Sequence, residues 1–253
     1  MSLGLEEVER TSQGEYYGIL LSSALGMYFM ASASNLLMAY LSLEFVSLTS
    51  YVLTGSLRHN RRSGEASLKY LIYGGVASGA MIYGMSWIFG LTGSMDYAAI
   101  NAALASGTTS SLALFIAIVL VLAGFGYKIS AVPFHMWAPD VYTGAPIPVT
   151  AFLSVGSKAA GFALLLRFFY PALSSLGEAG RWQVLGGVNW PQLILVLCAV
   201  TMTLGNLAAL QQTNIKRLLA YSSIAHAGYM LMGLVVLSDE GCAPSSSTSS
   251  PTI

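Results

Sequence analysis

Apolar runs of roughly twenty residues, separated by short polar punctuation, recur along this chain from Tyr16 to Leu237. A helix rises about 1.5 Å per residue and a bilayer core is about 30 Å thick, so each run is long enough to cross a membrane. The pattern predicts seven spans, at 16–33, 36–57, 69–91, 111–137, 148–170, 191–210 and 218–237. Strands are not required anywhere, and the expected fold class is an all-α membrane protein. The stretch from Tyr16 to Ser56 is too long for one crossing, and Ser32-Ala33-Ser34-Asn35 is its polar place to turn. A tight helical hairpin is therefore expected there.

Composition agrees with the pattern. Of the 253 residues, 55% are hydrophobic and 9% charged, against about 25% charged in an average soluble domain. The zero formal net charge supplies no basic face for nucleic acid. Two cysteines, Cys198 in an apolar run and Cys242 near the end, make neither a disulfide framework nor a metal site. No phosphate-binding glycine loop or nucleophile elbow is present, and no cofactor chemistry is expected within this chain. Residues 1–15 carry Glu6, Glu7 and Glu9 where a basic leader would be, so they read as an internal, cytoplasmic loop. Residues 238–253 have the Ser-rich composition of a disordered tail. Basic loops stay in the cytoplasm. With the N-terminus inside, Arg10, Arg58, Arg61, Arg62, Lys69, Lys216 and Arg217 all fall on the inner side, and Arg167 and Arg181 on the outer.

Three charges fall inside spans: Glu44 in the second, Lys128 in the fourth and Lys158 in the fifth. A central charge costs roughly 2.5–3.5 kcal/mol on insertion scales, and residues retained at that cost face a protein interior or a wet cavity and mark ion pathways. A purely structural pair between Glu44 and one lysine is the competing reading, but two lysines to one glutamate leave an amine over. Gly124 and Gly126 precede Lys128 and Pro133 follows it, predicting a kinked fourth helix. Lys158 stands nine residues from Arg167, about 13 Å along a straight helix and too far to snorkel outward. It is expected in a hydrated cavity formed mainly by the second, fourth and fifth spans.

The histidines complete the candidates. His135, two residues after Pro133, is read as either a proton relay toward Lys128 or interface packing. His226, amid Ser222, Ser223 and Tyr229 in the last span, is a possible relay with a structural role as its alternative. His59 reads as a headgroup contact in its basic loop, and Asp140 as a cap on the inner loop.

The stretches LEFVSLTSYVL, GEASLKYLIYGG, GYKISAVPFHMWAPDVYTGAPIPV, LSVGSKAAGF and GNLAALQQTNIKRLLAYSSIAHAGYMLMG cover most of residues 36–236. They resemble subunit N of bacterial respiratory complex I, the proton-translocating NADH:quinone oxidoreductase, within a wider family of antiporter-like subunits. The resemblance implies that Glu44 matches the family's span glutamate, Lys128 the lysine of a broken helix that the glutamate partners, and Lys158 the next lysine of a central hydrophilic axis. It further implies one complete five-helix bundle at 16–170 and two helices of a second at 171–237, with the family's first three and last four helices absent. The implied function is proton translocation beside other membrane and hydrophilic subunits of complex I. NADH, FMN, iron-sulfur clusters and quinone would belong to those partners, and the chain would lie in the bacterial inner membrane. A subunit of an Mrp-type sodium/proton antiporter and a non-conducting structural fragment are the alternatives.

Overall fold

The computed structural model describes residues 13–57, 59–107, 109–176 and 182–235. Most of the expected N-terminal segment, the Ser-rich tail with Cys242, and Arg10, Arg58 and Arg181 lie outside the described residues.

The expected hairpin is present. Helix α1 (Gln13–Ser32) stops at the polar tetrad and α2 (Leu36–Thr54) starts immediately after it. Asn35 makes the turn by accepting, through its side chain, the Met38 amide at 2.7 Å, which satisfies one of the free donors at the start of α2. Helix α3 (Arg61–Thr92) is capped by Asn60 and ends at Gly93 in the left-handed conformation. A short helix α4 (Tyr97–Ala105), capped by Asp96, then runs to α5 (Ser111–Ile129). After α5 come α6 (Trp137–Gly144) and α7 (Ile147–Phe152), and a π-helical turn over Leu153–Ser157 leads into α8 (Lys158–Leu173). Helices α9 (Trp190–Leu210) and α10 (Ile215–Val235) close the described chain.

The structure refines three expectations. First, among the described residues six helical runs are both long and apolar enough to cross a membrane: α2, α3, α5, the continuous α7–α8 run, α9 and α10. Helix α1 has the length, but its glycines, serines and Glu15 leave it without an equally apolar stretch long enough to span. Second, the chain has two short strands, β1 (Ser174–Leu176) and β2 (Trp182–Val184), paired antiparallel in the connection between α8 and α9. A polar connection outside the spans has backbone groups to satisfy, and the hairpin pairs them. Third, the kink read from Pro133 alone is a complete break, the broken helix that the resemblance implied.

The buried interior consists of two apolar clusters stacked along the helices. One contains Leu43, Val46, Met81, Phe125, Ile129, Leu164 and Leu231, and the other Tyr51, Tyr70, Trp137, Val141, Leu153 and Ile224. Helices α2, α3, α5, α10 and the α7–α8 run pass from one cluster to the other, and the crossover falls at Ser47, Ser78, Lys128 and Lys158, and on α10 between Ile224 and Leu231, just beyond Ser223. A polar seam therefore divides the apolar core at about the middle of the bundle. Close helix packing brings its parts together. A Cβ on Gly84 would lie 2.7 Å from the Ala117 carbonyl oxygen, so α3 and α5 approach to a distance that no other residue allows.

Candidate functional site

Helix α5 ends because Ser130 adopts a left-handed conformation (φ 61°) and Pro133, just beyond, has no amide to continue the ladder. Sequence pattern alone suggests bending through this point, but the positive φ stops the helix outright. The interrupted backbone is then satisfied by neighbours, as membrane depth requires. Ala131 N–H donates to the Gly126 carbonyl at 2.8 Å, and Val132 N–H to Thr201 Oγ1 of α9 at 3.0 Å. Trp137 reaches back across the break to donate from its indole to the Tyr127 carbonyl at 2.9 Å, with its ring stacked 4.3 Å from Tyr70.

Lys128 occupies the last turn of α5, one residue from its end. It is 1% exposed. The unsatisfied carbonyls at a helix C-terminus carry partial negative charge, so the break places a favourable dipole end beside the ammonium. Its amine donates to Ser47 Oγ at 3.2 Å; that hydroxyl spends its own proton on the Leu43 carbonyl, leaving a lone pair for the lysine. Glu44 lies one helical turn away on α2 and bears electrostatically on Lys128. The two make no direct ion pair among the described residues. Instead Glu44 Oε1 accepts a short hydrogen bond from Ser78 Oγ of α3, and the Ser78 and Tyr40 hydroxyls stand 3.4 Å apart.

Lys158 is 2% exposed and follows directly on the π-helical turn. Its amine donates to both the carbonyl and the hydroxyl oxygen of Ser223 on α10, each at 2.9 Å, and sits 5.9 Å above the Tyr142 ring. The expected surroundings are thereby corrected: the polar partner comes from the last span rather than from the second, fourth and fifth. The two lysine sites adjoin, since a Cβ on Gly161, one turn beyond Lys158, would lie 2.8 Å from Ile129 and 3.5 Å from the Lys128 stem.

The histidines are placed differently. His135 is buried within the break and hydrogen-bonds to neither lysine among the described residues. His226 is exposed on α10, its ring edge-on to Tyr229. His226 nevertheless lines a cavity of about 480 Å³ with Tyr142, Thr150, Ser154, Lys216 and Ser223. That cavity reaches the residue that holds Lys158. Asp140 lies in the first turn of α6, not in a loop, and accepts from Lys69 at 2.9 Å and faces Arg217 at 3.4 Å. Lys69 also pairs with Glu65 at 2.8 Å. Residues assigned to the inner side from charge bias thus gather at one end of the bundle. Among the described residues, no three histidine, cysteine or acidic side chains converge as a metal-ligand set.

Six apolar helical runs, one of them broken, with two buried amines on a polar seam, define a polytopic membrane protein. Residues 33–245 match the family model described as "NADH:quinone oxidoreductase/Mrp antiporter, TM", and the chain belongs to that family. It is 57% identical over 238 residues to NADH-quinone oxidoreductase subunit N of Anaeromyxobacter sp. (strain Fw109-5), covering 90% of this chain and 46% of that relative. Among solved structures it is similar to a chain of respiratory complex I from Thermus thermophilus, with a TM-score of 0.72 and 39% identity over 87% of this chain and 45% of that one. It is also similar to a chain of the membrane-bound sulfane sulfur reductase, an archaeal respiratory membrane complex, with a TM-score of 0.76 and 25% identity over 92% of this chain and 45% of that one. The chain spans about half the length of the relatives it matches. It is a multi-pass protein of the bacterial inner membrane.

Proposed function

We propose that this chain is a proton-translocating membrane subunit of an NADH:quinone oxidoreductase of the complex I type, and that Glu44, Lys128 and Lys158 carry the proton. The observation that carries the reading is the pair of fully buried lysines, Lys128 and Lys158, on helices that pack together at Gly161. In this reading Lys128 gains and loses its proton as Glu44 approaches and withdraws, and Lys158 exchanges with it and with water in the cavity that Ser223 and His226 line. His135, within the break, is the candidate relay toward Lys128. Residues 16–170 form the first antiporter-like bundle and 171–237 begin the second. The redox steps belong to partner subunits that hold NADH, FMN, iron-sulfur clusters and quinone, so this chain is a translocase component without electron transfer of its own. Moving one charge against 100 mV costs about 2.3 kcal/mol, and a hydrogen bond to a charged group is worth about 1.5–3 kcal/mol. Rearranging one or two such bonds is thus sufficient for the work.

The test is Lys158→Met in the assembled native membrane complex, followed by proton uptake into inverted vesicles beside assembly on native gels. Normal assembly with uptake lost is the expected result. Normal uptake would reduce Lys158 to a packing residue, and uptake that depends on a sodium gradient in place of NADH would move the chain to the antiporter side of its family.

A further inference from the structure

The Glu44 carboxyl group has two polar partners within reach of α2, and the structure shows it bound to the uncharged one. Glu44 and Ser47 are three residues apart and share a helix face. Lys128 takes Ser47, while Glu44 turns to Ser78 on α3. We propose that Ser78, backed by Tyr40, is a positioning residue that holds Glu44 apart from Lys128, so that the ion pair forms only when this hydrogen bond is given up. The inference rests on the functional reading above, in which Glu44 and Lys128 exchange partners during proton transfer.

The chemistry of a hydroxyl suits this role. Ser78 is buried on the seam and can donate to a carboxylate or accept from a carboxylic acid, so it serves Glu44 in both protonation states. The Lys128 ammonium can only donate, and it binds the carboxylate much more strongly than the neutral acid. With the one proton of Ser78 committed to ionised Glu44, the Tyr40 hydroxyl is left as donor to Ser78. When Glu44 is protonated the direction reverses along the same three oxygens. Tyr40 stands four residues before Glu44 on α2, and the pair thereby closes a loop from α2 to α3 and back. The other titratable groups that bear on Glu44 are Lys128 and the hydroxyls of Tyr51 and Tyr127. Without Ser78, Lys128 is the strongest of the remaining partners, and the pair would stay closed.

The experiment uses the assembled native complex in inverted vesicles driven by NADH. Ser78→Ala is expected to slow proton uptake about tenfold, the weight of a hydrogen bond to a charged group, with assembly intact. Ser78→Thr, which keeps the hydroxyl, should restore uptake, and Tyr40→Phe should slow it about twofold, as fits a longer and weaker bond. The carboxyl infrared band, assigned by its disappearance in Glu44→Gln, should shift in Ser78→Ala and return in Ser78→Thr. Wild-type uptake and an unmoved band in Ser78→Ala would overturn the positioning role. If Lys128→Met also pumps normally, the functional reading itself fails. Should Ser78→Ala not assemble, the band in Tyr40→Phe decides: a shift supports the role and an unmoved band overturns it.

Discussion

Lys128 and Lys158 are equally buried, lie on the same seam and adjoin through Gly161, but their surroundings differ. Lys128 has a carboxylate one helical turn from its partner Ser47, and it sits at the C-terminal end of an interrupted helix. Around Lys158 no charged side chain acts among the described residues, and the amine is held by the two oxygens of one residue, Ser223, and by the face of Tyr142. One amine can therefore be switched by a nearby charge. The other is held by neutral groups, which accept a cation without fixing it there. In the proposed proton path, the first arrangement would supply control and the second passage.

The largest expected effect comes from removing either amine. Lys128→Met and Lys158→Met should each reduce proton uptake about a hundredfold, the scale of a lost acid–base group. The two should differ in thermal stability. Lys158→Met removes a cation that has no counter-ion and should melt at the same temperature or higher, whereas Lys128→Met strands Glu44 and should gain less or lose. The reverse order in Tm would break the comparison. Next in size is Glu44→Gln, expected to slow uptake about tenfold. Added to Lys128→Met it should cause little further loss, because residues that act as one unit are not additive. Vesicle uptake measured on the two single variants and the double variant checks this.

Smaller again are the oxygen partners. Ser47→Ala removes the hydroxyl on which Lys128 rests and should cost about 1.5 kcal/mol in uptake rate, while Ser223→Ala leaves Lys158 the Ser223 carbonyl and should cost about half of that. Equal losses in the two uptake assays would mean that the carbonyl bond counts for nothing. The smallest effect is expected at the rim. Asp140→Asn weakens the contacts to Lys69 and Arg217, which are each more than a third exposed, and should lower stability by no more than about 1 kcal/mol. Melting in high salt should erase the difference, and uptake should be unchanged.

Much of this was legible in the sequence for a physical reason. A charge inside an apolar run is costly, so Glu44, Lys128 and Lys158 stand out against their own helices without knowledge of the fold. The turn at Asn35 was readable on the same grounds, from local chemistry. What was not legible depends on rotation and contact between helices. Ser47, Ser78 and Ser223 look like any serine in a membrane span until α2, α3 and α10 are assembled, although the three-residue spacing of Glu44 and Ser47 was a signal available in advance. That His226 is exposed was not readable either, because being mid-span says nothing about which face a residue occupies. The full break at Ser130 depends on a positive φ at a residue type that does not announce one. The hairpin between α8 and α9 escaped a search made for apolar period alone.

The stapled break also carries its own optical gauge. Trp137 is buried, stacked on Tyr70 and hydrogen-bonded through its indole to the Tyr127 carbonyl, one residue before Lys128. Indole emission depends on burial, on stacking and on the fate of its N–H, and all three of these meet at the interrupted segment. With Trp87, Trp182 and Trp190 replaced by phenylalanine, the remaining fluorophore would read the state of the break in real time. A structural staple thus doubles as an intrinsic reporter, placed by the fold within one residue of the amine whose movements matter most.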